Sequence, residues 1–452
     1  MGGEAPIDHD LRWPVVSLAQ IATKIGSGAT PKGGADAYLP SRARFALVRS
    51  QNVFDRHFDH DGLAFITDEQ AGGLRGVVLQ PDDILLNITG DGITFGRACM
   101  VPQDVLPACV NQHVSIIRLN PERADAGYVL AFLTYPEVKS YIESFNAGGS
   151  RRAITKGHIE SFRLPLPPLP EQRAIAHILG TLDKKIELNL RMNETLEAMA
   201  RALFKSWFVD FDPVRAKAEG RDPGLPKPLA DLFPTTFVQS EVGSIPAGWS
   251  IGPILERAAL LSGGTPKTDR PEYWGGDILW ASARDVSQCG EAFLVSTERT
   301  ITREGVEQSS TQLVPAFATI VVARGATTGR MALTGREMAM NQTCYALSSR
   351  EGTPFALYSS IRHEIDGLVH AAHGSVFDTI TTSTFAASRV VLPPTAMLTA
   401  YEGIAAPLFR RILAATEEAR VLAVVRDALL PKLLSGELRV WSAEGVALRD
   451  AT

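Results

Sequence analysis

The sequence predicts an α+β protein in which two similar mixed α/β domains are separated by two long antiparallel coiled-coil helices. Three observations support this fold class: an internal repeat, an abrupt change of composition after two Pro-Pro pairs, and heptad spacing of hydrophobic residues after each pair. The chain has 452 residues, of which 45% are hydrophobic and 21% are charged, so it can fill more than one core.

The internal repeat consists of short motifs that occur twice in the same order. A Ser-Gly-x-Thr-Pro-Lys run comes first, a Gly-Arg pair follows a hydrophobic segment, and an Asn-Gln pair comes next. The paired motifs are Ser27–Lys32 and Ser262–Lys267, Gly96-Arg97 and Gly329-Arg330, Asn111-Gln112 and Asn341-Gln342, and Pro167-Pro168 and Pro393-Pro394. Because their order is kept over so long a distance, we infer a duplicated domain and a pseudo-twofold relation between the halves.

Each Pro-Pro pair precedes a long helical segment whose apolar residues are spaced alternately by four and three. The predicted seam positions are Ile175, Leu179, Leu182, Ile186, Asn189, Asn193, Leu196 and Leu203 in the first segment, and Leu408, Ile412 and Leu422 in the second. The two asparagines lower stability but fix register and partner. Two seams of matching length in one chain most simply pair with each other, and the pseudo-twofold relation makes that pairing antiparallel.

These patterns divide the chain into six segments. They are the first domain at 1–168, a central helix at 169–212, a Pro-rich connector at 213–245, the second domain at 246–395, a C-terminal helix at 396–438 and a tail at 439–452. The connector contains many prolines and is expected to be extended or loosely packed. In the first domain, strands are predicted near 45–49, 76–79, 83–89 and 114–119, and a helix near 126–145.

Several residues that occur in both copies are candidate DNA contacts. Lys32 and Lys267 follow Thr30-Pro31 and Thr265-Pro266, so a rigid turn presents each lysine to a phosphate. Amides such as those of Asn111-Gln112 and Asn341-Gln342 suit the adenine edge in the major groove, but they also stabilise turns. Base choice should differ between the copies, so the repetition of this pair favours a role in the shared fold.

Other candidates are basic or lie in Gly-rich loops. They are Arg49, Arg97, Arg151, Arg152 and Lys156 in the first domain, and Arg284, Arg324, Arg330 and Ser375 in the second. Structural salt bridges and solvated surface charges are the alternatives for these residues. The net charge of −5 opposes phosphate binding overall, so basic residues must cluster on one face or a partner must supply the remainder.

The sequence lacks the motifs of the main catalytic and metal sites. A Pro occupies the second Gly position of a phosphate loop at both glycine-rich runs, and no HExxH, GxGxxG or GxSxG motif occurs. The four cysteines form no CxxC pair and are expected to be reduced. No apolar stretch of about 18 residues or signal peptide is present, so we expect a cytoplasmic protein without catalytic residues, metal or cofactor of its own.

The motif order resembles that of the specificity subunits of type I restriction–modification enzymes. The resemblance covers nearly the whole chain and includes the runs Leu164–Arg173 (LPLPPLPEQR), Leu203–Val214 (LFKSWFVDFDPV) and Leu429–Leu438 (LLPKLLSGEL). The second helical segment lacks the Trp-Phe-Val-Asp-Phe ending of the first. This departure bears on whether partners dock in the same way on both helices.

The resemblance implies that the two domains are target-recognition domains for the halves of a split sequence in double-stranded DNA. It also implies two methyltransferase subunits, which would bind S-adenosylmethionine and methylate adenine, and motor-nuclease subunits. The helix pair would set the distance between half-sites, whose centres we expect about one helical turn apart. The alternatives are a self-contained restriction–methylation enzyme and a coiled-coil adaptor that binds only proteins.

Overall fold

The computed structural model describes residues 13–74, 76–90, 94–145, 152–372 and 379–440. The chain forms two compact units. Unit 1 comprises Met1–Glu187 with Val421–Thr452, and unit 2 comprises Leu188–Arg420. Each unit therefore contains one repeat together with parts of both long helices. None of the described helices is both long enough and apolar enough to span a membrane.

The first repeat, in unit 1, contains two main sheets. A four-stranded antiparallel sheet has the strand order Ala22–Ser27, Val114–Leu119, Ile84–Asn87 and Ala98–Met100. In a three-stranded sheet, Phe45–Val48 pairs in parallel with Ala108–Val110 and antiparallel with Ala64–Ile66. All four residues of Ile84–Asn87 are buried, so this strand lies at the centre of the domain.

The second repeat, in unit 2, has the same strand order. Its large sheet runs Ala258–Ser262, Cys344–Ser349, Thr319–Val322 and Met331–Thr334, with Phe293–Leu294 added in parallel at the edge. In its small sheet, Trp274–Ala281 pairs in parallel with Ala339–Met340 and antiparallel with Arg299–Ile301. The duplication predicted from the sequence is confirmed by this equal order and direction of strands.

Short elements complete both repeats. In unit 1 they are the strands Val15–Ser17, Val53–Phe54, His57–Phe58, Thr89–Gly90, Arg152–Ala153 and Arg163–Pro165, and the helices Leu18–Ile21, Asp68–Gly73, Ala126–Leu133, Pro136–Ser144 and Lys156–Glu160. In unit 2 they are the strands Ser250–Gly252 and Val390–Leu392, and the helices Ala283–Gln288, Arg303–Glu307, Pro354–Ala372 and Thr382–Ala387.

Two predictions within the first repeat are wrong. The helix predicted at 126–145 is two helices, because the first ends at Leu133 and Pro136 begins the second, where its missing N–H costs nothing. The strand predicted at 76–79 does not form. Only Val78 makes an isolated bridge, to Cys109, and Gly76 has a φ of 84°.

The two long helices are Leu169–Phe208 and Thr395–Ser435. We call them the central helix and the C-terminal helix. In unit 1, Asp183 of the central helix accepts a hydrogen bond of 2.8 Å from Arg426, and the carboxylate of Glu171, nearer the start of that helix, binds Arg439, just beyond the C-terminal helix. Residue numbers rise along one helix as they fall along the other, so the two helices are antiparallel.

The same direction holds in unit 2. Asn189 Nδ2 donates to Glu418 Oε2 at 2.9 Å, and Tyr401 Oη donates to the carbonyl of Ala200 at 3.1 Å. The predicted seam residues are buried or half-buried in their units. The fully or almost fully buried members are Ile175, Leu179, Asn189, Asn193 and Ile412, and the half-buried members are Leu182, Ile186, Leu196, Leu203, Leu408 and Leu422.

The ends of the long helices follow local backbone geometry. The central helix ends at Phe208, before the predicted boundary at 212, because Phe211 adopts a left-handed conformation with φ 57° and Asp212 begins a separate helix. The C-terminal helix continues through Pro431 to Ser435, and Gly436 follows with a φ of 78°, as expected of a glycine cap.

The connector between the central helix and the second repeat is packed, so the prediction of an extended or loose segment is wrong. It forms the helices Asp212–Ala218 and Lys227–Ala230 and a hairpin of Phe237–Ser240 with Gly243–Pro246. Val214, Phe233 and Ile245 are buried in unit 2. Prolines stand in the first turn of both helices, where proline favours a helix start rather than its interruption.

Candidate nucleic-acid interface

In the first repeat, the structure brings together two motifs that lie far apart in the sequence. Thr30 Oγ1 donates a hydrogen bond to Gln112 Oε1. The backbone N–H of Ala29 donates to the carbonyl of Val110 at 3.0 Å, and that of Gly28 donates to Val114 at 3.0 Å. The turn of residues 30–32, which we call the first TPK turn, is therefore fixed against the segment that carries the Asn-Gln pair.

The second repeat contains the same arrangement. Thr265 Oγ1 donates to Gln342 Oε1, and the backbone N–H of Gly264 donates to the carbonyl of Met340 at 2.9 Å. The turn of residues 265–267 is the second TPK turn. The motifs identified as duplicated in the sequence are thus also duplicated in their contacts.

A glycine before each turn is required by close packing against the Asn-Gln segment. A Cβ atom on Gly28 would lie 2.0 Å from the carbonyl oxygen of Val110. A Cβ atom on Gly263 would lie 1.8 Å from the carbonyl oxygen of Asn341. Both distances are far inside van der Waals contact, so any other residue would displace the turn. The glycine of the motif is therefore explained by the fold.

The asparagine and the glutamine of each pair have different surroundings. Asn111 is 6% exposed, and its Oδ1 accepts a hydrogen bond of 3.0 Å from the backbone N–H of His113. Asn341 Oδ1 accepts one of 3.1 Å from Thr343 in the same way. This local bond is the Asx-turn geometry that shapes the backbone. Gln112 and Gln342 are exposed, so the glutamine is the member that faces solvent.

The lysines of the TPK turns are accessible in both copies. Lys32 and Lys267 are exposed, and each follows a buried proline. Among the residues that the structure describes, neither lysine has a carboxylate partner. A single-point positive charge on a proline-stiffened turn suits a phosphate oxygen.

The predicted arginines whose side chains are described, together with Lys156, divide into three groups. Arg49 and Arg97 are engaged within the first repeat: Arg49 donates to the carbonyl of Gly62 and lies over Tyr38, and the Arg97 guanidinium lies 4.4 Å from the centre of the Phe54 ring. The second group forms exposed ion pairs, Arg284 with Glu298 at 3.5 Å and Lys156 with Glu160 at 3.4 Å. The third group, Arg324 and Arg330, is exposed in the second repeat.

Three predicted contacts fall where the structure gives no side-chain information. Arg151 and Ser375 lie outside the described residues, and the side chain of Arg152 is also outside them. Their roles stay predictions.

Two tryptophans of the second repeat support its TPK turn. Trp274 Nε1 donates to the carbonyl of Lys267 at 3.1 Å, and Trp280 Nε1 donates to the carbonyl of Gly264 at 3.0 Å. The sequence motifs did not indicate this support. The tryptophans themselves were the available signal, because a buried indole N–H normally donates a hydrogen bond to an acceptor.

Each repeat is also anchored to both long helices inside its own unit, which the sequence did not indicate. In unit 1, Asp183 accepts hydrogen bonds from Arg56 of the repeat at 3.3 Å and from Arg426 at 2.8 Å. Burial lowers the pKa of Arg56, and the Asp183 carboxylate acts against this effect. The anchor thus combines one loop arginine of the repeat with one residue from each helix.

In unit 2 the repeat contributes a carboxylate to the anchor, whereas in unit 1 it contributes an arginine. Glu291 accepts hydrogen bonds from Asn193 Nδ2 at 2.8 Å and from Thr416 Oγ1 at 2.6 Å, and Asn193 Nδ2 lies 3.0 Å from Thr416 Oγ1. The seam asparagine Asn193 therefore joins the helix pair to the repeat as well as joining the helices to each other.

The buried cysteines are poor nucleophiles. Burial raises the pKa of the Cys109 thiol to about 11 and that of Cys344 to about 12. It also raises the pKa of Cys99 and Cys289. These thiols are therefore protonated at neutral pH, and the thiolate needed for nucleophilic attack is scarce.

Comparisons with known proteins agree with this architecture. A family model described as the type I restriction modification DNA specificity domain matches residues 62–198 and 246–397. The chain is 26% identical over 440 residues to the type I restriction enzyme HindI specificity subunit of Haemophilus influenzae, covering 87% of this chain and 94% of that protein. It is 23% identical over 330 residues to the MjaIX specificity subunit of Methanocaldococcus jannaschii, covering 70% of each.

A solved structure shares the fold. The S subunit of a type I restriction–modification system from M. genitalium aligns with a TM-score of 0.60 at 13% sequence identity, covering 96% of this chain and 99% of that chain. The family model matches both repeats and more than half of the chain, and the duplicated TPK turns lie on a fold found in a solved S subunit. This chain therefore belongs to the specificity subunits of type I restriction–modification systems.

Proposed function

We propose that this chain recognises a split sequence in double-stranded DNA, with each repeat contacting one half-site. The observation that carries the proposal is the TPK turn, which recurs in both repeats with the same Thr-to-Gln hydrogen bond and an exposed lysine. Two similar surfaces that face one regular ligand are expected to keep common contacts, and the phosphate backbone is the part of DNA common to both half-sites.

The proposed contacts separate positioning from base choice. Lys32 and Lys267 hold phosphates, whereas exposed side chains that differ between the repeats select bases. Arg324 and Arg330 add local positive charge in the second repeat. Because the whole chain has a net charge of −5, partner subunits supply part of the phosphate contacts.

The two long helices are proposed to set the spacing between half-sites. Both run through the boundary between the units, and within each unit they pair antiparallel and are tied to the repeat by a polar anchor. A stiff connection of this kind converts helix length into spacer length, as dimer geometry does in helix-turn-helix proteins. We place the half-site centres about one helical turn of DNA apart.

Exposed apolar residues on the helices support docking of two methyltransferase subunits. In unit 1, Val421 and Val424 are 60% and 63% exposed on the C-terminal helix. In unit 2, Leu188 and Met199 are 60% and 54% exposed on the central helix. Apolar side chains exposed on packed helices are typical of partner interfaces. Motor-nuclease subunits would join this complex for restriction.

The chemistry is assigned to the partners. This chain would act without a catalytic residue or cofactor of its own, and the methyltransferase subunits would bind S-adenosylmethionine and extrude the target adenine from the duplex. The chain's role would be to deliver those subunits to the correct adenines.

The decisive experiment maps methylated adenines after the chain and its methyltransferase subunits act on genomic DNA with S-adenosylmethionine. We expect a two-part motif with a constant spacer, and no methylation by the chain alone. A continuous motif contradicts the two-repeat assignment, and methyl transfer by the purified chain alone establishes a self-contained enzyme. Sequence-independent DNA retention by the complex would instead identify a protein adaptor.

A second variant tests the spacing role separately. Insertion of one heptad into each long helix, at matched positions, should change the spacer and leave both half-sites unchanged. The same mapping measures the result. If the bases of either half-site changed together with the spacer, the helices would do more than set distance.

A further inference from the structure

The second repeat carries an arginine that is stacked on a tryptophan beside its TPK turn. The Arg299 guanidinium carbon lies 3.4 Å from the centre of the Trp274 ring and 5.9 Å from that of Trp280. The two indole rings meet edge to face, with centroids 5.1 Å apart at an interplanar angle of 85°. Cation–π stacking of this kind holds the plane of a guanidinium group in one orientation.

This stack is coupled to the second TPK turn through the tryptophans. Trp274 donates to the carbonyl of Lys267 at 3.1 Å, so one side chain contacts both the turn and Arg299. Arg299 begins the edge strand Arg299–Ile301 of the small sheet and pairs across it with Trp280. The arginine and the lysine are therefore neighbours around a common indole ring.

The stacked arginine is accessible and its charge is not neutralised. Arg299 is exposed, and among the residues that the structure describes no carboxylate forms an ion pair with it. Nearby exposed arginines differ in this respect, because Arg270 and Arg303 pair with glutamates at 3.5 Å and 3.4 Å. Stacking covers one face of the guanidinium group but leaves the donors at its edge available, since they lie in the plane of the group.

The first repeat differs at the equivalent position. In the small sheet of the first repeat, Leu47 pairs with Ala64, and in that of the second repeat Trp280 pairs with Arg299. The strands correspond, so Ala64 is the counterpart of Arg299. Ala64 is 7% exposed and carries no donor. A residue that selects a base should differ between repeats that bind different half-sites, whereas the TPK turn is common to both.

We propose that Arg299 reads a guanine in the half-site bound by the second repeat, donating from its edge to O6 and N7 in the major groove. This assignment rests on the proposed function of the chain. A planar fork that is already oriented matches the paired acceptors of guanine and loses little side-chain entropy on binding. A phosphate contact has no need of fixed orientation, and Lys267 serves that purpose beside it.

The test is adenine-methylation mapping with the complex of the chain and its methyltransferase subunits, comparing wild type with R299K. Lysine keeps the charge and loses the fork. We expect one guanine position of a single half-site to lose about 5- to 150-fold of its preference over other bases. The other half-site and the spacer should stay unchanged. R303K, at an exposed arginine that is paired with Glu307, is the matched control and should leave the motif as in wild type.

Other outcomes overturn the proposal. A uniform loss of binding to all sequences in R299K, with the motif intact, identifies a phosphate contact. An unchanged motif with unchanged affinity shows that Arg299 does not touch DNA. If R299K did not assemble with its partners, R299Q would be mapped instead, since it removes the cation but keeps a planar end group. A wild-type complex without a split motif would refute the proposed function itself, which distinguishes that failure from this one.

Discussion

The two repeats share a strand order, yet the buried polar side chains of their central strands differ in their hydrogen bonding. Asp83, at the start of the central strand of the first repeat, is fully buried and binds Arg118 Nε at 2.7 Å and Nη2 at 2.8 Å. In the second repeat, Thr319 begins the corresponding central strand at the position of Ile84 and is also fully buried, but its Oγ1 has no hydrogen-bond partner among the described residues. The duplicated pattern thus specifies the backbone, while the hydrogen bonding of buried polar side chains differs between the copies.

Among the variants that test this comparison, the largest effect is expected at the ion pair of Asp83 and Arg118. R118M removes the ionic partner of the buried Asp83 carboxylate and leaves it only the backbone N–H of Gln80 at 2.7 Å, so we expect a loss of about 3–5 kcal/mol in the free energy of unfolding. Urea denaturation measures this change. T319V is the matched variant, and it should change stability little because the hydroxyl that it removes has no partner. Equal losses in the two variants would contradict the distinction.

The anchors between repeat and helices differ in the same way. Unit 1 places one carboxylate, Asp183, between Arg56 and Arg426, whereas unit 2 places Glu291 against Asn193 and Thr416. In unit 1 the side chain of Arg56 is 9% exposed and that of Asp183 is 21% exposed. In unit 1 the carboxylate is therefore held between two arginines, of which Arg426 also pairs with Asp427 at 2.8 Å, and in unit 2 it is held by neutral donors.

The second prediction concerns the anchor of unit 1. D183A leaves two arginines facing each other without their carboxylate, and we expect a loss of about 2–3 kcal/mol in the free energy of unfolding. Urea denaturation again measures it. The control is D231A, which removes one partner of an ion pair whose side chains are 86% and 61% exposed and should cost less than about 1 kcal/mol. A value for D183A within the range of D231A would show that the anchor contributes no more than a surface pair.

The sequence predicted the fold well where the signal was periodic or repeated. Heptad spacing identified both long helices, and the repeated motifs identified the duplication, because each signal depends on many residues at once. It failed in the connector, where prolines were interpreted as signs of an extended chain. Pro213 and Pro228 instead occupy helix starts, and only the hydrophobic partners of Val214 and Phe233 decide that the segment packs.

The candidate site was predicted in part for a related reason. The sequence identified Thr30 and Gln112, and Thr265 and Gln342, as repeated residues, but it did not indicate that they bind each other, because their contact depends on the order of strands. Asn193 was predicted to fix helix register, yet its partner Glu291 belongs to the repeat. Long-range partners of this kind leave no periodic trace in a single sequence.

The third prediction tests whether the two TPK turns have the same role, which is contact with phosphate. K32A and K267A should each reduce the slope of log affinity against log salt concentration by about 1, with similar several-fold losses of affinity for all sequences. Fluorescence anisotropy with the methyltransferase complex at several salt concentrations measures both variants. K227A, at a lysine paired with Asp231, should leave the slope unchanged. A change of base preference in either turn variant would contradict a phosphate role.

The smallest effect is expected at two helix starts, one in each repeat. A long helix binds the first with an amide side chain and the second with a carboxylate. Gln172 of the central helix accepts a hydrogen bond of 2.9 Å from the backbone N–H of Asp125, at the start of a helix of the first repeat. Glu402 of the C-terminal helix accepts bonds of 3.1 Å and 2.9 Å from Phe355 and Ala356, in the first turn of a helix of the second repeat. Burial raises the pKa of Glu402, although these backbone hydrogen bonds lower it.

A raised pKa means that folding favours the protonated form of Glu402. Its contribution to stability is therefore largest below the pKa of the unfolded chain and declines as the pH rises to the higher pKa of the folded chain. E402Q keeps an oxygen acceptor, as Gln172 does, and removes this decline. We expect its thermal midpoint to match or slightly exceed that of wild type at pH 7, and this advantage to shrink or reverse at pH 4. If E402Q were instead destabilised at pH 7 and not at pH 4, the carboxylate bonds to the helix start would outweigh the cost of burying the charge.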